Sequence, residues 1–585
     1  MDKQEKLDLL RHSAAHVLAA AVLEMFPEAK FGTGPAIENG FYYDFDLPRT
    51  LIPEDLEILE GKMREIIKAN HPFDRADLSV KEAEEKFKEL GQDYKIELIK
   101  DLEKEGHKTV SIYKSGQFVD LCSGPHIDST GEIKPDAIKL TKISGAYWKA
   151  SENNKQMQRI YGVTFESKKD LEEYLHMMEE AEKRDHKKIG REMGLFIFSD
   201  LVGPGLPLYT PKGAIVRREI QNYSNELRQS IGYQEVHTPQ INKAALFKKS
   251  GHYDKYKDDM FKVTSNYTEE EYYLKPMNCP QHTQIFASEM RSYKDLPVRI
   301  ADFANLYRDE KPGQLSGLAR LRAFSQDDGH CFCSEDQIEN EFNAILGLIE
   351  KSMQTYGMEY HIRLSLRDEK QKEKYLGSDE VWEKSQATLE KLLKDKKLKY
   401  VRAEGEAAFY GPKMDLVAKD SIGREWQLST IQLDLNMPER FGLEYVGADG
   451  QKHTPIMIHS AIVGSPERFM GVLIEHYSGA FPTWLSPIQV VIIPVSTEKF
   501  GDYAKSVETR FIASGIRVKV DDSSETLGKR INEAQKNKIP YMLVVGQKEI
   551  DAESVAVRSR DKGDEGTMKT DEFLERIKKE ITDKK

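Results

Sequence analysis

The run from Ala301 to Cys333, ADFANLYRDEKPGQLSGLARLRAFSQDDGHCFC, constrains the fold more tightly than any other part of the chain. A strand-like opening ends in Tyr307-Arg308-Asp309-Glu310, a loop carrying Pro312, Gly313 and Gly317 follows, and an alternating segment from Leu318 to Phe324 leads into Gln326-Asp327-Asp328. Alternation with period two suits a half-buried strand, and Pro and Gly interrupt regular structure, so the run predicts strand, long hairpin loop, strand. Arg308 offers a planar, permanently charged fork to a phosphate, Glu310 can accept from an exocyclic amine, and Phe324 gives a flat surface for a purine. Together these would hold ATP; on this stretch alone, a charged hairpin with one core Phe fits as well.

At 585 residues the chain has length for about three or four domains, each able to bury its own core. No apolar run approaches the roughly 20 residues of a membrane span, so a soluble protein with no membrane partner is expected. Four cysteines give no disulfide framework and, with no targeting signal, favour the reducing cytoplasm. Cys331 and Cys333 read as packing residues. The segment Ala14 to Phe26 is not a secretory core, because acidic residues precede it and His16 and Glu24 interrupt it; an amphipathic helix is expected. The net charge of −12 neither advertises nor excludes a nucleic-acid partner, since local basic patches carry phosphate contacts whatever the total.

Residues 1 to about 165 read as a mixed α/β domain. Its first helix carries His12 and His16 one turn apart, on one face. Phe31 to Leu47 has turn signals at Gly34-Pro35 and Asn39-Gly40 with an aromatic strand after them, which predicts a hairpin. Asp120-Leu121-Cys122-Ser123-Gly124-Pro125-His126 places a thiol and an imidazole around a Gly-Pro turn, and with the helix pair makes a metal-like set. Taken alone, His12 and His16 also fit as two ordinary helix histidines. Residues 167–192 are strongly charged with Leu171, Leu175 and Met178 at helical spacing, predicting one connecting helix. From Met193 strand and hairpin signals dominate, with a helical insertion near Ser378 to Lys394: an antiparallel sheet with flanking helices. After Pro487, strands at Ile488–Val495, Ile516–Val520 and Tyr541–Val545 alternate with helical segments, which predicts a doubly wound α/β sheet.

The opening stretch resembles motif 2 of the class II aminoacyl-tRNA synthetases, in the form found in the threonyl-tRNA synthetases. Gly213 to Pro239 looks like motif 1, Gly464-Ser465-Pro466-Glu467-Arg468-Phe469 looks like motif 3, and Lys275-Pro276-Met277-Asn278-Cys279-Pro280 is similar to a segment tied to the threonyl specificity. The class I signatures HIGH and KMSKS are absent. The resemblance covers nearly the whole chain in the family's order, and implies an α/β multidomain protein: an N-terminal editing domain over 1–166, a linker helix over 167–192, a class II catalytic domain over 193–486, and a C-terminal anticodon-binding domain over 487–585. The family's N-terminal ubiquitin-like domain has no counterpart, whether absent in the lineage or trimmed.

What the resemblance implies about function is ATP-dependent ligation of L-threonine to tRNA(Thr), with hydrolytic editing of seryl-tRNA, by a cytoplasmic homodimer joined through motif 1. Arg308 and Arg468 would hold the α- and γ-phosphates, Glu310 and Phe324 adenine, and Arg320 the phosphates, with Mg²⁺ accompanying ATP. A zinc ion, one per subunit, would be bound by Cys279, His330 and His459 and would take the substrate amine and hydroxyl, so that valine cannot complete the set. Asp328 could orient the amine, Met277, Gln326 and Gln432 would line the amino-acid pocket, and His252 would assist transfer. His12, His16, Cys122 and His126, with Lys95 and Asp120, would form the editing site, for which Lys95 as an ordinary surface lysine is the competing reading. Glu549 and Arg558 would read the anticodon. A synthetase paralogue acting as a non-catalytic subunit is the alternative; a metal-dependent hydrolase built on the N-terminal cluster would leave everything beyond about residue 195 unexplained. Asn305-Leu306-Tyr307, Gln281, Leu428 and Ser429 depart from the family's usual residues and put loop detail in question.

Overall fold

The computed structural model describes residues 3–151 and 153–585. They fall into two compact units, Met1–Glu179 and Glu180–Lys585.

The first unit is built around the helix Lys3–Met25. It is not the amphipathic surface helix expected from sequence: Ser13 to Ala19, nearly two turns, are buried on every side. Ala14, Ala15 and Ala19 are small enough for neighbours to approach all round, with the helix Pro53–Ala69 and the strands Gly40–Asp46 and Gln156–Thr164 packed against it. The strands form an antiparallel sheet in the order Lys30–Phe31, Gly40–Asp46, Gln156–Thr164, Ile138–Tyr147. The predicted hairpin is present, with Ile37 opposite Gly40, so its turn is Glu38-Asn39. Gly40 serves a close approach instead, since a Cβ there would stand 2.2 Å from the Gly162 carbonyl oxygen. A second antiparallel sheet, Asp74–Ser79, Thr109–Ser115, Phe118–Leu121, carries the helices Val80–Glu89 and Asp93–Lys104. Ser79 and Glu82 exchange side chain-to-backbone bonds at the start of Val80–Glu89, satisfying amides that the first turn would leave open.

The segment 167–192 is two helices, Lys168–Lys183 and His186–Glu192, because the Asp185 carboxylate accepts from the Lys187 amide at 2.8 Å and starts the second afresh. In the second unit an eight-stranded sheet runs Gln234–Glu235, Val298–Tyr307, Ala323–Cys333, Ile456–Ala461, Glu425–Asp434, Lys413–Lys419, Glu359–Leu366, Tyr400–Glu404. Its six inner strands are antiparallel, and only the two outermost pair in parallel. The helices Pro211–Ser230, Ile338–Thr355 and Pro466–His476 give apolar faces to its main core. The insertion helix is Asp379–Asp395, capped by Ser378.

The C-terminal sheet runs Val518–Val520, Val490–Pro494, Tyr541–Val545, Ser554–Ser559, Gly563–Lys569. Its first three strands are parallel, with the helices Thr497–Ala513 and Thr570–Thr582 on one face and Leu527–Lys536 on the other, as a doubly wound sheet requires. The last two are an antiparallel addition that strand–helix alternation did not announce. Arg517 ties this sheet to the motif 1 helix, its Nη1 3.2 Å from Glu219.

Candidate functional site

The strand Ala323–Cys333 works on both faces, because successive side chains of a strand point in opposite directions. Phe324, Gln326, Asp328 and His330 share one face, and all four line a cavity of about 720 Å³. Ser325, Asp327 and Gly329 share the other. There the Asp327 carboxylate accepts from Arg228 Nε at 2.7 Å, Ser224 Oγ at 2.8 Å, and the Ile462 and Val463 amides at 2.8 and 3.1 Å, while its own amide donates to the Gly464 carbonyl. Gly329 leaves room for this arginine: a Cβ would lie 2.0 Å from Arg228 Nη1. Glu467 makes a second bond between the same elements, accepting from the Ser325 amide at 2.8 Å and from Arg217 Nε at 3.0 Å. Motif 1 helix, motif 2 strand and motif 3 are therefore fixed to one another by buried polar bonds beneath the cavity floor.

Strand register builds the next part. His330 stands opposite His459, and His459 opposite Gln432, so the three form a row across neighbouring strands. Cys279 approaches the row from the start of the helix Cys279–Ala287, and the ligand atoms of Cys279, His330 and His459 lie within 4.8 Å of one another, all buried. Asp434 Oδ2 faces His459 Nε2 at 3.0 Å, leaving Nδ1 toward the set, and His282 Nδ1 lies 2.7 Å from His330 Nδ1. One thiol and two imidazoles, each ring steadied from behind, at the wall of a cavity are compatible with a metal ion that keeps an open position. Burial raises the Cys279 thiol pKa and lowers that of His330. Burial also pushes the Asp328 carboxyl up to about 7. Gln432 accepts from Tyr410 OH at 2.6 Å, and the Tyr410 ring stacks on His459 at 4.6 Å.

The cavity's other end carries the remaining residues of the hairpin. The Arg308 guanidinium carbon stands 5.2 Å from the Phe324 ring centroid, and Arg320 Nε donates to Glu310 at 2.9 Å. Arg468 lies in the first turn of Pro466–His476, whose cap is Ser465. Among the described residues its Nε is buried without a hydrogen-bond partner, and burial lowers its pKa, so it is a cation short of an anion. Met277 lines the cavity. His252 does not: it is fully buried behind Met277, its Nε2 3.1 Å from Met277 Sδ and 3.5 Å from Cys279 Sγ, its Nδ1 2.8 Å from Ser250 Oγ. Burial drives its pKa down to about 3.

The N-terminal cluster converges as well. His12 and His16 project from the central helix onto the Cys122–His126 loop, with Cys122 Sγ 3.3 Å from His12 Nε2 and 3.4 Å from His126 Nε2. Lys95 is no surface lysine: it is 2% exposed and ion-paired with Asp120, which also accepts from Tyr43 OH at 2.6 Å and lies 3.6 Å from His16. A cavity of about 860 Å³ opens over His12, His16, Lys95, Asp120 and Cys122, while His126 sits behind Pro125. Burial lowers the pKa of His12 and His16 and takes His126 down to about 2, so these rings are uncharged bases and hydrogen-bonding groups. Burial raises Cys122 to about 11, which leaves a thiol rather than a nucleophilic thiolate. In the C-terminal sheet Glu549, in the helix Gln547–Asp551, accepts from the Gly546 amide at 2.9 Å, and Arg558 lies on the adjoining strand Ser554–Ser559.

Sequence reading assigned no role to Arg228, Tyr410, Asp434 or His282, and did not show the buried bonds of Asp327 or the chain from Lys275 through Asn278 to His282. The departures have local explanations: Gln281 donates to the Pro239 carbonyl and to Asn242, both at 2.7 Å, Asn305 accepts from Ser325 Oγ, and Ser429 Oγ donates to the Ile462 carbonyl. Nothing in the structure explains Tyr307 or Leu428 being other than the family's usual residues.

Comparison with known proteins gives three family matches: tRNA synthetase class II core domain (G, H, P, S and T) over residues 261–477, anticodon binding domain over 489–580, and threonyl and alanyl tRNA synthetase second additional domain over 110–161. The threonine–tRNA ligase of Phocaeicola vulgatus is 50% identical over 98% of this chain and 88% of its own length; that of Oceanobacillus iheyensis is 47% identical over 99% and 89%. The solved RNA binding domain of threonyl-tRNA synthetase from Cryptosporidium parvum matches 68% of this chain and 98% of its own with a TM-score of 0.65 at 36% identity. With the class II sheet, the cavity and the N-terminal cluster in hand, these likenesses settle the family: the chain belongs to the threonine–tRNA ligases of class II.

Proposed function

We propose that the protein activates L-threonine with ATP and transfers it to tRNA(Thr), and that its N-terminal site hydrolyses seryl-tRNA formed in error. The observation that carries this reading is that the unpartnered Arg468, the Arg308–Phe324 pair and the Cys279–His330–His459 set all open onto one cavity of about 720 Å³. In the first step the threonine carboxylate attacks the α-phosphorus and pyrophosphate leaves; in the second the terminal adenosine hydroxyl attacks the threonyl carbonyl and AMP leaves. Neither step needs a covalent enzyme intermediate, so the residues act by position and charge. Arg308 neutralises the α-phosphate as negative charge builds, Arg468 holds the γ-phosphate of Mg²⁺-bound ATP, and Phe324 and Glu310 fix adenine. Arg320, held by Glu310, stands ready for the phosphates.

The metal in this reading is zinc, held by Cys279, His330 and His459, which when bound supplies a Lewis-acid position for the amine and hydroxyl of threonine. Asp328 accepts from the amine, with Met277, Gln326 and Gln432 around the side chain. An apolar pocket would reject valine by only about a hundredfold, whereas a site that must bond the hydroxyl discriminates further. His252 is read here as a positioning residue behind Met277 and Cys279. A second site is needed because serine keeps the hydroxyl and differs by one methyl, about 1–3 kcal/mol. The neutral imidazoles of His12 and His16, beside Lys95 and Asp120, are suited to hold a water against the seryl ester, with Cys122 and His126 shaping the floor. Glu549 and Arg558 complete the reading as anticodon contacts, and a cytosolic homodimer joined through motif 1 as its setting; four free cysteines fit a reducing compartment.

ATP–pyrophosphate exchange with threonine, serine and valine, on protein of measured zinc content, tests the first site. Strong exchange with threonine, weaker with serine, negligible with valine, and about one zinc per chain are expected. Absence of exchange with zinc bound would favour a non-catalytic paralogue. For the second site, His12→Ala with His16→Ala should slow clearance of preformed seryl-tRNA by about 10²-fold or more while threonine exchange is unchanged. Clearance at the parent rate would remove the editing assignment.

A further inference from the structure

His186 belongs to neither the cavity nor the motifs, yet it is 5% exposed and wedged between the nucleotide loop and the motif 3 helix. Its amide and its Nδ1 both face Glu475 Oε1, at 3.1 and 2.6 Å, and the Leu318 amide points at its Nε2 at 2.9 Å. A backbone N–H can only donate, so Nε2 must carry the lone pair and Nδ1 the proton, which goes to Glu475. Asp185, His186 and Glu475 approach one another closely enough to suggest a metal group, but both ring nitrogens are already committed.

The neighbours are built for this contact. Gly317, at φ +46°, passes so close that a Cβ would lie 2.2 Å from His186 Nε2. Leu318, Ala319 and Arg320, immediately downstream, line the nucleotide end of the cavity. Glu475 is on the same helix as Arg468, and its second oxygen is held by Arg424 at 2.5 Å. One imidazole therefore joins the returning limb of the loop that carries Arg320 to the helix that carries Arg468.

We propose that His186 is a positioning residue for ATP, fixing the loop at Leu318 so that Arg320 and Arg468 keep their spacing around the triphosphate. The inference rests on the reading of this cavity as the ATP site. It is tested by two substitutions that divide the ring's functions, since an Asn amide nitrogen overlays Nδ1 and a Gln amide oxygen overlays Nε2. His186→Asn keeps the bond to Glu475 and loses the one to Leu318; His186→Gln keeps an acceptor for Leu318. In pyrophosphate exchange, His186→Asn should raise the KM for ATP about tenfold, as the loss of a bond of about 1.4 kcal/mol does, with the KM for threonine and the zinc content unchanged. His186→Gln should stay within about threefold of the parent, as retention of the Leu318 bond requires. Gly317→Ala, which pushes the ring away without altering it, should reproduce the effect of His186→Asn. A lowered melting temperature with an unchanged KM for ATP, or equal effects of the Asn and Gln variants, would overturn the proposal. Absence of exchange in the parent protein would instead overturn the ATP reading beneath it.

Discussion

Replacing Asp327 by Ala is expected to destabilise the unit Glu180–Lys585 by about 3–5 kcal/mol, the usual consequence of leaving one partner of a buried ion pair uncompensated. Arg228 and Asp327 are 2% and 1% exposed, so the guanidinium would be left out of reach of water. The same carboxylate holds two backbone amides, at Ile462 and Val463, that have no other acceptor among the described contacts. The order of effects follows from this. Arg228→Met removes the cation but leaves Asp327 its hydroxyl and amide donors, and should cost less than Asp327→Ala. Because Val463 leads into the turn before Arg468, the Asp327 variant should also bind ATP more weakly. Denaturant unfolding of both variants is the measurement; a loss below about 1 kcal/mol for Asp327→Ala would show that the network contributes little.

The second large effect is chemical. Cys279→Ala should take bound zinc from about one per chain to nearly none and lower threonine-dependent exchange on the order of 10³-fold, the scale of losing a main electrostatic contact in a transition state. ATP should still bind, since Arg308, Phe324 and Arg468, which line the same cavity, are left unchanged. Metal analysis, exchange and ATP titration on one preparation separate these outcomes. Threonine exchange at the parent rate in metal-free protein would dismiss the zinc reading.

The hairpin was legible because strand-like runs on either side of Pro-Gly punctuation are local signals, although most of the alternating segment from Leu318 is turn and loop and the strand begins at Ala323. Its site residues Gln326, Asp328 and His330 came from the family resemblance. The partner face was not legible. Asp327 reads as one more polar residue beside Asp328, and only the strand's pairing and the missing side chain of Gly329 reveal that Arg228 lies beneath it. Lys95 was ambiguous because a long charged side chain is usually solvated, and its burial depends on Asp120 and Tyr43, far away in sequence. The central helix misled for a related reason: its alanines look neutral in a hydropathy pattern, whereas their value is that they let two layers close around it. His252 shows what sequence position alone does not give: its ring is fully buried against Met277 and Cys279.

That enclosed helix also bears on how the chain acquires its shape. Lys3–Met25 is translated more than 130 residues before Gln156–Thr164, one of the strands that closes over it. At roughly 5–20 residues per second, the delay is on the order of ten seconds. For that interval the side of the helix that Gln156–Thr164 covers stays open, although Gly40–Asp46 and Pro53–Ala69 are already there to pack on its other sides. Nascent-chain binding by a holdase to this segment should therefore weaken once residue 69 has left the ribosome and end when residue 164 has.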